Sequence, residues 1–360
     1  MPVRGGTAVR LPARVVVAGR TIGGGAPTFV VAEAGVNHNG DLAMARRLVD
    51  AAADAGADAV KFQTFRAEAL VSQRAPKAAY QRETTGMDES QRDMLRHLEL
   101  GRDAHADLAE HAERRSLLFF STPFDEGSAD LLEAIGVALL KVPSGEITNL
   151  PLLRHLARKG RPLLVSTGMS TLDEVERAVA AIQAEGCSSV ALLHCVSAYP
   201  APAAETNLRA MDTLRDRFHC PVGLSDHSLG VEIAIAAVAR GAEIVEKHLT
   251  LDRSLPGPDH RASLDPNEFT AMVRAIRAVE SALGNGDNRP MPCEADTRRV
   301  ARRSLVAAGP IRAGDVLTRE RVAVKRPGTG ISPTDLDRVV GRRVRRNVDA
   351  DELLQWEDLE

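Results

Sequence analysis

The chain has 360 residues, a formal net charge of −3 at pH 7 and an apolar fraction of 44%, which predicts one large domain with a small one, or two medium domains. A nearly neutral chain in which only 3% of residues are aromatic gives no reason to expect nucleic acid or a membrane surface as a partner. No apolar run approaches the roughly 20 residues that span a bilayer.

The first 26 residues are predicted to form an N-terminal extension. Within residues 1–26, Val15–Val17 is a short strand pattern, and the three glycines at positions 23–25 predict a turn. This extension has no charged-then-apolar signal pattern, so we expect a cytoplasmic protein.

From residue 28 onward, short apolar runs that end in polar clusters alternate with amphipathic helix patterns. Such short continuous runs are typical of strands buried on both faces, as in a parallel sheet. One of the intervening helices begins with a capping box formed by Thr171 and Glu174. Eight strand–helix units in about 255 residues predict an α/β fold, the (β/α)8 TIM barrel. The eight runs are Phe29–Ala32, Ala57–Phe62, Leu117–Ser121, Val137–Val142, Pro162–Ser166, Val190–Cys195, Pro221–Ser225 and Glu243–His248.

These patterns divide the chain into domains. We assign residues 27–284 to a TIM-barrel catalytic domain, in which the long interval between Phe62 and Leu117 contains two helix patterns and is predicted to cover the barrel mouth. A turn-rich linker follows at residues 285–302. Residues 303–360 have short strands separated by Gly and Pro, which predicts a small β-rich domain with a limited core.

The cysteines show no sign of disulfide or zinc chemistry. Cys187, Cys195, Cys220 and Cys293 form no C-x-x-C pair and no zinc spacing. We interpret them as free thiols in a reducing compartment, with Cys195 on a strand and the other three near surface turns.

Lysine is rare in this chain, and three of the six lysines end strand-like runs. Forty arginines accompany the six lysines, and Lys61, Lys141 and Lys247 are the three at strand ends. A compact ammonium suits a phosphate, a carboxylate or a Schiff base, whereas a guanidinium suits a planar bidentate partner. The pattern indicates that lysine is kept at these three positions because the chemistry of the site needs it. The alternative interpretation is that the three lysines only extend from the strand ends to solvent.

In a TIM barrel the carboxyl ends of the strands meet at one mouth, which brings scattered polar residues together. The three lysines with nearby hydroxyls would form a nest for a phosphorylated, carboxylated anion. The residues expected at the mouth are Glu33, Asn37, His38, Lys61, Gln63, Ser121, Thr122, Lys141, Ser144, Glu146, Ser166, Thr167, Met169, His194, Ser197, Tyr199, Ser225, Asp226, His227, Lys247 and His248.

Two of these histidines are candidates for a metal site. His227 and His248 end neighbouring strands and could bind a divalent ion such as Mn²⁺, Fe²⁺, Co²⁺ or Zn²⁺, with oxygen ligands completing the shell. Either histidine could instead be a hydrogen-bonded wall residue, and Glu33 and Glu146 could simply neutralise the lysines.

The motifs at these strand ends resemble the N-acetylneuraminate (sialic acid) synthase family. Residues 303–305, 311–314 and 325–331 (Lys-Arg-Pro-Gly-Thr-Gly-Ile) resemble that family's antifreeze-like (SAF) domain, so the similarity covers nearly the whole chain in order. The barrel motifs are residues 29–40 (Phe-Val-Val-Ala-Glu-Ala-Gly-Val-Asn-His-Asn-Gly), 58–63 (Asp-Ala-Val-Lys-Phe-Gln), 120–124 (Phe-Ser-Thr-Pro-Phe), 141–146 (Lys-Val-Pro-Ser-Gly-Glu), 166–169 (Ser-Thr-Gly-Met), 193–200 (Leu-His-Cys-Val-Ser-Ala-Tyr-Pro), 223–227 (Gly-Leu-Ser-Asp-His), 246–248 (Glu-Lys-His) and 256–260 (Pro-Gly-Pro-Asp-His).

The resemblance implies a metal-dependent condensation of phosphoenolpyruvate with an N-acyl amino-hexose, which gives a nonulosonic acid and phosphate. It assigns the metal, with Mn²⁺ expected and Mg²⁺ or Co²⁺ as alternatives, to His227 and His248. It also implies a homodimer with swapped small domains, in which Arg326 reaches the other subunit's site. The positions assigned to phosphoenolpyruvate are Lys61, Thr122, Lys141, Ser144, Ser197 and Ser225, and those on the sugar side are Glu33, Gln63, Tyr199, Asp259 and Arg326.

The acceptor sugar stays open at this stage. Val196-Ser197 stands where sialic acid synthases of the family often carry Asn, and with Pro200–Pro202 it is similar to the legionaminic and pseudaminic acid synthases. N-acetylmannosamine and a diacetamido-6-deoxy-hexose are therefore both candidates.

Under the resemblance, a metal held by His227 and His248 would supply polarisation of the open-chain aldehyde. Carbon 3 of phosphoenolpyruvate attacks that aldehyde, water adds at carbon 2 and phosphate leaves. We predict three catalytic residues: Glu146 as the proton relay at that water, Glu33 for the sugar hydroxyl or a metal-bound water, and His248. Which glutamate has which role is not decided by the sequence.

Two rival functions follow from the same residues. A Schiff-base (class I) pyruvate aldolase would need a lysine desolvated among apolar neighbours, and Lys247, between Glu246 and His248, is a poor candidate. A non-catalytic ice- or sugar-binding protein would not need a metal pair and three lysines in a barrel mouth.

Overall fold

The computed structural model describes residues 10–86 and 90–360, so the first nine residues of the predicted N-terminal extension lie outside the described part. Contacts within the chain separate one unit that ends at Gly284 from a second unit, Asn285–Glu360. Residues 285–302, predicted as a linker, are therefore part of the second unit. In the described part of the chain, no helix combines the length and apolar character needed to cross a membrane.

A hairpin precedes the barrel. Strands β1 (Arg14–Val17) and β2 (Arg20–Gly23) pair antiparallel, which confirms the predicted strand over residues 15–17. Its buried side chains join the cluster inside the barrel that also contains Phe29 and Ile244, the first residues of two barrel strands. The hairpin therefore packs at the amino end of the barrel, opposite the end where the predicted site residues lie.

Eight parallel strands close into a barrel, which confirms the predicted fold class. The last of these strands along the chain, Ile244–His248, pairs with the first, Phe29–Gly35, which closes the barrel. All eight predicted runs correspond to barrel strands, with ends that differ by up to three residues. The strands are β3 Phe29–Gly35, β4 Ala59–Thr64, β5 Leu118–Pro123, β6 Leu140–Val142, β7 Leu163–Ser166, β8 Val190–Cys195, β9 Val222–Asp226 and β10 Ile244–His248.

Side chains alternate between the inside of the barrel and the surrounding helices, because a strand has a period of two. In β10, Ile244 belongs to the cluster inside the barrel, whereas Val245 belongs to the larger cluster between strands and helices. The same alternation places Glu246 and His248 inside and Lys247 outside. Gly223 allows β9 to approach β10 closely, since a Cβ atom there would lie 2.2 Å from the carbonyl oxygen of Ile244.

Helices cover the outside of the barrel, and the capping box of Thr171 and Glu174 forms as predicted. In its described residues, the interval after β4 contains four helices rather than the predicted two, because three of the four have seven residues or fewer and so show no helical repeat. The helices of this unit are α1 Leu42–Asp54, α2 Ala67–Leu70, α3 Ala79–Thr85, α4 Gln91–His97, α5 Arg102–Arg114, α6 Glu126–Ala134, α7 Leu150–Arg158, α8 Leu172–Ala184, α9 Ala210–Phe218, α10 Glu232–Ala239 and α11 Pro266–Leu283.

The second unit has its own small core. Strands β11 (Ser304–Ala307) and β12 (Val322–Lys325) pair antiparallel, and isolated bridges extend the β structure. Helices α12 (Ala295–Ala301) and α13 (Leu336–Val339) complete it. Buried leucine, isoleucine and valine side chains from residues 305–359 form the core, which confirms a small β-rich domain at the carboxyl end of the chain.

Candidate active site

A cavity of about 380 Å³ lies at the carboxyl ends of the barrel strands. It brings together twelve of the fourteen residues that the sequence assigned to catalysis, substrates or metal; Glu146 and Arg326 are not among its lining residues. The twelve are Glu33, Lys61, Gln63, Thr122, Lys141, Ser144, Ser197, Tyr199, Ser225, His227, His248 and Asp259.

Glu246 is a charged residue of this cavity that sequence reasoning missed. Its Oε1 atom lies 3.4 Å from Lys61 Nζ and 3.8 Å from Lys141 Nζ, and it accepts a hydrogen bond of 2.8 Å from Ser225 Oγ. Burial opposes its charge, but the two ammonium groups outweigh burial and hold the pKa of Glu246 at about 2. Glu246 is therefore an ionised carboxylate between two cations.

Lys61 is held as an ammonium in the same network. Its Nζ atom donates to Thr122 Oγ1 at 3.1 Å and lies 3.0 Å from Glu33 Oε2. Burial acts to lower the pKa of Lys61, but the charges of Glu246 and Glu33 more than offset it, so the pKa is raised.

Lys141 is less strongly compensated. Its Nζ atom donates to Ser166 Oγ at 2.6 Å and to the carbonyl oxygen of Val142 at 3.3 Å. Burial, with the neighbouring charge of Lys61, outweighs the attraction of Glu246 and lowers the pKa of Lys141 to about 8. A dianion bound beside Lys141 would raise the pKa of this lysine and keep it protonated. The end of the cavity that contains Lys61 and Lys141 is therefore suited to an anion.

Glu33 is suited to proton transfer. Burial raises its pKa to about 7, although Lys61 acts in the opposite direction. Its Oε1 atom accepts a hydrogen bond of 3.2 Å from Gln63 Nε2. A carboxyl group with a pKa near neutrality can both accept and donate a proton during turnover.

The two predicted metal ligands face each other. The rings of His227 and His248 lie 5.5 Å apart between centroids, and both are buried. His227 Nδ1 donates to the carbonyl oxygen of Val196 at 2.8 Å, so the lone pair of a neutral ring would lie on Nε2. Burial acts to lower the pKa of His227, but the neighbouring Cys195 more than offsets it, so the pKa is raised. In the described part of the chain, His248 Nδ1 is buried without a hydrogen-bond partner, and burial keeps the pKa of His248 well below its usual value.

This donor set fits a divalent ion at an open site. Neutral imidazole is the form that binds metals. Within residues 10–86 and 90–360, no group of three or more His, Cys, Asp or Glu side chains is arranged to hold a metal. The protein would supply two imidazoles, and oxygen atoms of water and substrate would have to complete the shell.

Tyr199 connects the histidines to the outer part of the cavity. Its ring centroid lies 4.1 Å from that of His227, 5.8 Å from that of His248 and 5.1 Å from that of Tyr80. Asp259 also lines the cavity, and burial raises the pKa of its carboxyl to about 6.

Lys247 does not belong to the predicted anion nest, so the expectation of three lysines at the mouth was wrong. Its Nζ atom is fully buried outside the barrel interior, where it lies 2.7 Å from Asp226 Oδ2 and 2.5 Å from the carbonyl oxygen of Ser228. The cause is the two-residue period of β10, which sends Lys247 and His248 to opposite faces.

Several other predicted mouth residues also lie elsewhere. Glu146 is on a short 3₁₀ turn after β6, where its carboxylate accepts a 2.6 Å hydrogen bond from Asn149 Nδ2; the geometry gives its predicted relay role no support. His38 is buried outside the cavity lining, and His194 is tied to the carbonyl oxygen of Thr206 at 2.6 Å.

The four cysteines are free, as predicted, but their exposure differs from expectation. Cys187 and Cys220 are buried rather than at the surface, and only Cys293 among the four is exposed. Cys195 lies on β8 as predicted and lines the cavity, with its Sγ atom 3.8 Å from His227 Nδ1.

Comparison with known proteins places this geometry in a family. Residues 48–288 match the NeuB family, and residues 302–360 match the SAF domain. The chain is 46% identical over 336 residues to the N,N'-diacetyllegionaminic acid synthase of Legionella pneumophila. The matched residues cover 92% of this chain and 94% of that protein. It is 35% identical over 341 residues to human N-acetylneuraminate-9-phosphate synthase, with 94% of each chain covered.

Solved structures agree. The N-acetylneuraminic acid synthetase of Leptospira borgpetersenii, determined with citrate, has a TM-score of 0.70 and 37% identity, covering 80% of this chain and 96% of that one. The spore coat polysaccharide biosynthesis protein SpsE of Bacillus subtilis has a TM-score of 0.66 and 36% identity, covering 97% and 99%. The chain therefore belongs to the NeuB family of enzymes and carries a SAF domain at its carboxyl end.

Proposed function

We propose that this enzyme condenses phosphoenolpyruvate with the aldehyde of an N-acyl amino-hexose to give a nonulosonic acid and phosphate. One observation carries the proposal: two buried lysines share the carboxylate of Glu246 beside a pair of facing imidazoles in one cavity. The lysines suit the phosphate and carboxylate of phosphoenolpyruvate. The named synthases among the relatives support the same reaction class.

The anion end of the cavity would bind and orient phosphoenolpyruvate. Lys61 and Lys141 supply positive charge, and the hydroxyls of Thr122 and Ser144 supply donors. We also assign Ser225 to this end, where its hydroxyl donates to Glu246. We also assign Ser197 to this end. Charge-assisted hydrogen bonds of this kind contribute about 1.5–3 kcal/mol each.

The carboxylates would act on the charge and the protons of the reaction. When carbon 3 of phosphoenolpyruvate forms a bond to the aldehyde carbon, positive charge develops at carbon 2, where the ionised Glu246 can stabilise it. Water then adds at carbon 2, and the bond from carbon 2 to the phosphate oxygen breaks. Glu33, with its pKa near 7, takes the proton of that water or returns one to the sugar alkoxide.

The imidazole pair would hold the metal. A divalent ion bound by His227 and His248, for which we propose Mn²⁺ with Mg²⁺ or Co²⁺ as alternatives, would supply Lewis-acid polarisation of the acceptor aldehyde. Tyr199 packs against both rings and fixes their orientation. Gln63, Tyr199 and Asp259 then remain for the sugar.

The proposal is tested by phosphate release from phosphoenolpyruvate in the presence of Mn²⁺ and a panel of N-acyl amino-hexoses. We expect release that depends on an acceptor and equals the amount of acid product measured by mass spectrometry. Release without an acceptor, or none with any acceptor, would contradict the proposed condensation. Incubation with pyruvate and borohydride is the parallel test for the aldolase alternative, which predicts a covalent adduct.

The lowered pKa of Lys141 predicts a pH dependence. Its ammonium attracts phosphoenolpyruvate below about pH 8 and is lost as the pH rises through that value, so kcat/KM for phosphoenolpyruvate should fall on the alkaline side. A Lys141→Arg variant keeps its charge, so its alkaline decline should move to higher pH. An unchanged alkaline profile in Lys141→Arg would show that another group causes the decline.

We further propose a cytoplasmic homodimer with swapped SAF domains, in which Arg326 of one subunit contacts the acyl-sugar of the other. The resemblance of residues 325–331 and the exposure of Arg326 on its own unit support this. Arg326→Ala and His248→Ala chains, each nearly inactive, should regain activity when they exchange subunits, since one of the two sites in a mixed dimer is intact. No recovery despite proven mixed dimers would argue against the shared site.

A further inference from the structure

Lys247 is a buried cation that the proposed mechanism does not use. It is one of six lysines in a chain with forty arginines, and it has no exposed surface. Its Nζ atom lies 2.7 Å from Oδ2 of Asp226, which is also buried, on the neighbouring strand β9. The two residues form an ion pair on the outer face of the barrel strands, away from the cavity.

Stability alone does not explain this buried ion pair. Removing two charges from water costs free energy that their mutual attraction only partly returns, and apolar side chains of similar volume are often at least as stabilising. The best-attested role of a buried polar pair is instead to specify one arrangement of the chain. The arrangement that Lys247 and Asp226 specify is that of two neighbouring strand ends.

These two strand ends carry the imidazole pair. The parallel pairing of β9 with β10 ends at Asp226 and Lys247, which are register partners. His227 and His248 are the next residues along the chain. Since a strand has a period of two, the ion pair points out of the barrel where both imidazoles point into it. A slip of one residue between the strands would therefore separate the two charges and misplace the two imidazoles together.

Hydrogen bonds from the ion pair also surround His227. Asp226 Oδ1 accepts a bond of 2.9 Å from the backbone nitrogen of Ser228 and one of 2.7 Å from its hydroxyl. Lys247 Nζ donates to the carbonyl oxygen of Ser228 at 2.5 Å. His227 follows the last residue of β9, so these bonds hold the chain on both sides of an imidazole that lies just beyond the strand.

Each imidazole-bearing residue is also bonded to other parts of the barrel mouth. His227 Nδ1 donates to the carbonyl oxygen of Val196, and the carbonyl oxygen of His227 accepts a bond of 2.9 Å from the backbone nitrogen of Ala201. The carbonyl oxygen of His248 accepts a bond of 2.9 Å from the backbone nitrogen of Leu264. These bonds connect each histidine to a different neighbour, whereas the ion pair connects the two histidine-bearing segments to each other.

Lysine suits this position better than arginine does. Its compact ammonium reaches two acceptors in a fully buried space, the carboxylate of Asp226 and the carbonyl oxygen of Ser228. A guanidinium presents its donors in a rigid planar fork, which would need more room between the two strand ends. The rare lysine at position 247 therefore has a physical reason outside the cavity.

We propose that the ion pair of Lys247 and Asp226 is a positioning element that sets the separation of the His227 and His248 imidazoles for a divalent ion. This inference rests on the proposed metal role of the two imidazoles and adds the residues that hold them in place. Lys247 and Asp226 would act only through the backbone of the residue that follows each of them. Loss of the pair should therefore weaken metal binding and lower kcat, and should leave the binding of phosphoenolpyruvate nearly unchanged.

The test is a double variant with Asp226→Asn and Lys247→Met, which removes both charges at once and leaves no uncompensated buried ion. Equilibrium dialysis of the metal-stripped protein should show a Kd for Mn²⁺ that is roughly 10- to 100-fold higher than that of the unmodified enzyme, as is typical when groups that support metal ligands are lost. The kcat should fall by at least about tenfold, while the KM for phosphoenolpyruvate stays within a few-fold.

The matched control is a double variant with Asp58→Asn and Arg277→Met. Arg277, on α11, lies 2.8 Å from Oδ2 of Asp58, which directly precedes β4 at the amino end of the barrel. This variant also removes one ion pair that involves a barrel strand, but at the end opposite the imidazoles. Its Kd for Mn²⁺ and its kcat should stay within a few-fold of those of the unmodified enzyme.

If the double variant at positions 226 and 247 does not fold, Asp226→Asn alone provides the same test, because it removes the charge and keeps the volume of the side chain. A folded variant of either kind with unchanged Mn²⁺ affinity would overturn the positioning role and leave the condensation intact. An equal loss of Mn²⁺ affinity in the control variant would also overturn it. An unmodified enzyme that binds no Mn²⁺ would instead overturn the metal assignment on which this inference rests.

Discussion

His227→Ala and His248→Ala variants are each expected to lose phosphate-releasing activity by roughly a thousandfold, because Lewis-acid polarisation of the aldehyde contributes several kcal/mol. Both imidazoles line the cavity with ring centroids 5.5 Å apart. Loss of either would also weaken Mn²⁺ binding, which equilibrium dialysis of the metal-stripped proteins measures independently of activity.

The control for these variants is His194→Gln. His194 also lies near a strand end, but its Nε2 atom is bonded to the carbonyl oxygen of Thr206 and the residue does not line the cavity. Its activity should stay within a few-fold of the unmodified enzyme, and its Mn²⁺ binding should be unchanged. Full activity of the unmodified enzyme after removal of metal by a chelator would rule out the metal assignment.

The second large effect is expected at Lys61. A Lys61→Ala variant should raise the KM for phosphoenolpyruvate by roughly ten- to a hundredfold, since a charge-assisted contact to a phosphate contributes about 1.5–3 kcal/mol. The KM for the sugar should change far less. Lys141→Ala is expected to behave in the same way, because Glu246 lies between the two ammonium groups.

Lys159→Ala is the control for removal of a lysine. Lys159 forms ion pairs with Asp130 and Glu133 on α6, outside the barrel, so its loss should leave both Michaelis constants unchanged. Equal increases in the KM for both substrates in Lys61→Ala would show that this lysine does not mark the anion end of the cavity.

The barrel was predictable because its strands are buried on both faces and therefore appear as continuous apolar runs. β8, Val190–Cys195, was predicted with its observed ends. β6 was predicted to begin at Val137 but begins at Leu140. The prediction was too long because Val137 and Leu139 are apolar and buried, as strand residues would be, although they do not pair in the sheet. The short helices α2, α3 and α4 could not be predicted, because a helix of fewer than two turns shows no periodicity. α2, for example, has only four residues.

The site was predictable in its residues but not in their orientation. The strand ends identified most of the cavity lining because carboxyl ends of parallel strands converge. Lys247 was placed there wrongly and Glu246 was missed, although a two-residue period counted back from His248 selects Glu246 and excludes Lys247. The lowered pKa of Lys141 could not be predicted either, because it depends on burial and on the shared carboxylate of Glu246.

The central claim is a bond-forming attack by phosphoenolpyruvate in this cavity with cleavage between carbon 2 and the phosphate oxygen. The most direct measurement uses phosphoenolpyruvate labelled with ¹⁸O in the oxygen that bridges carbon 2 and phosphorus, with Mn²⁺ and the acceptor panel. The account predicts that the label leaves with phosphate, in an amount equal to a new acid containing the carbons of both substrates. Label retained in the acid, or phosphate formed without that acid, would contradict it.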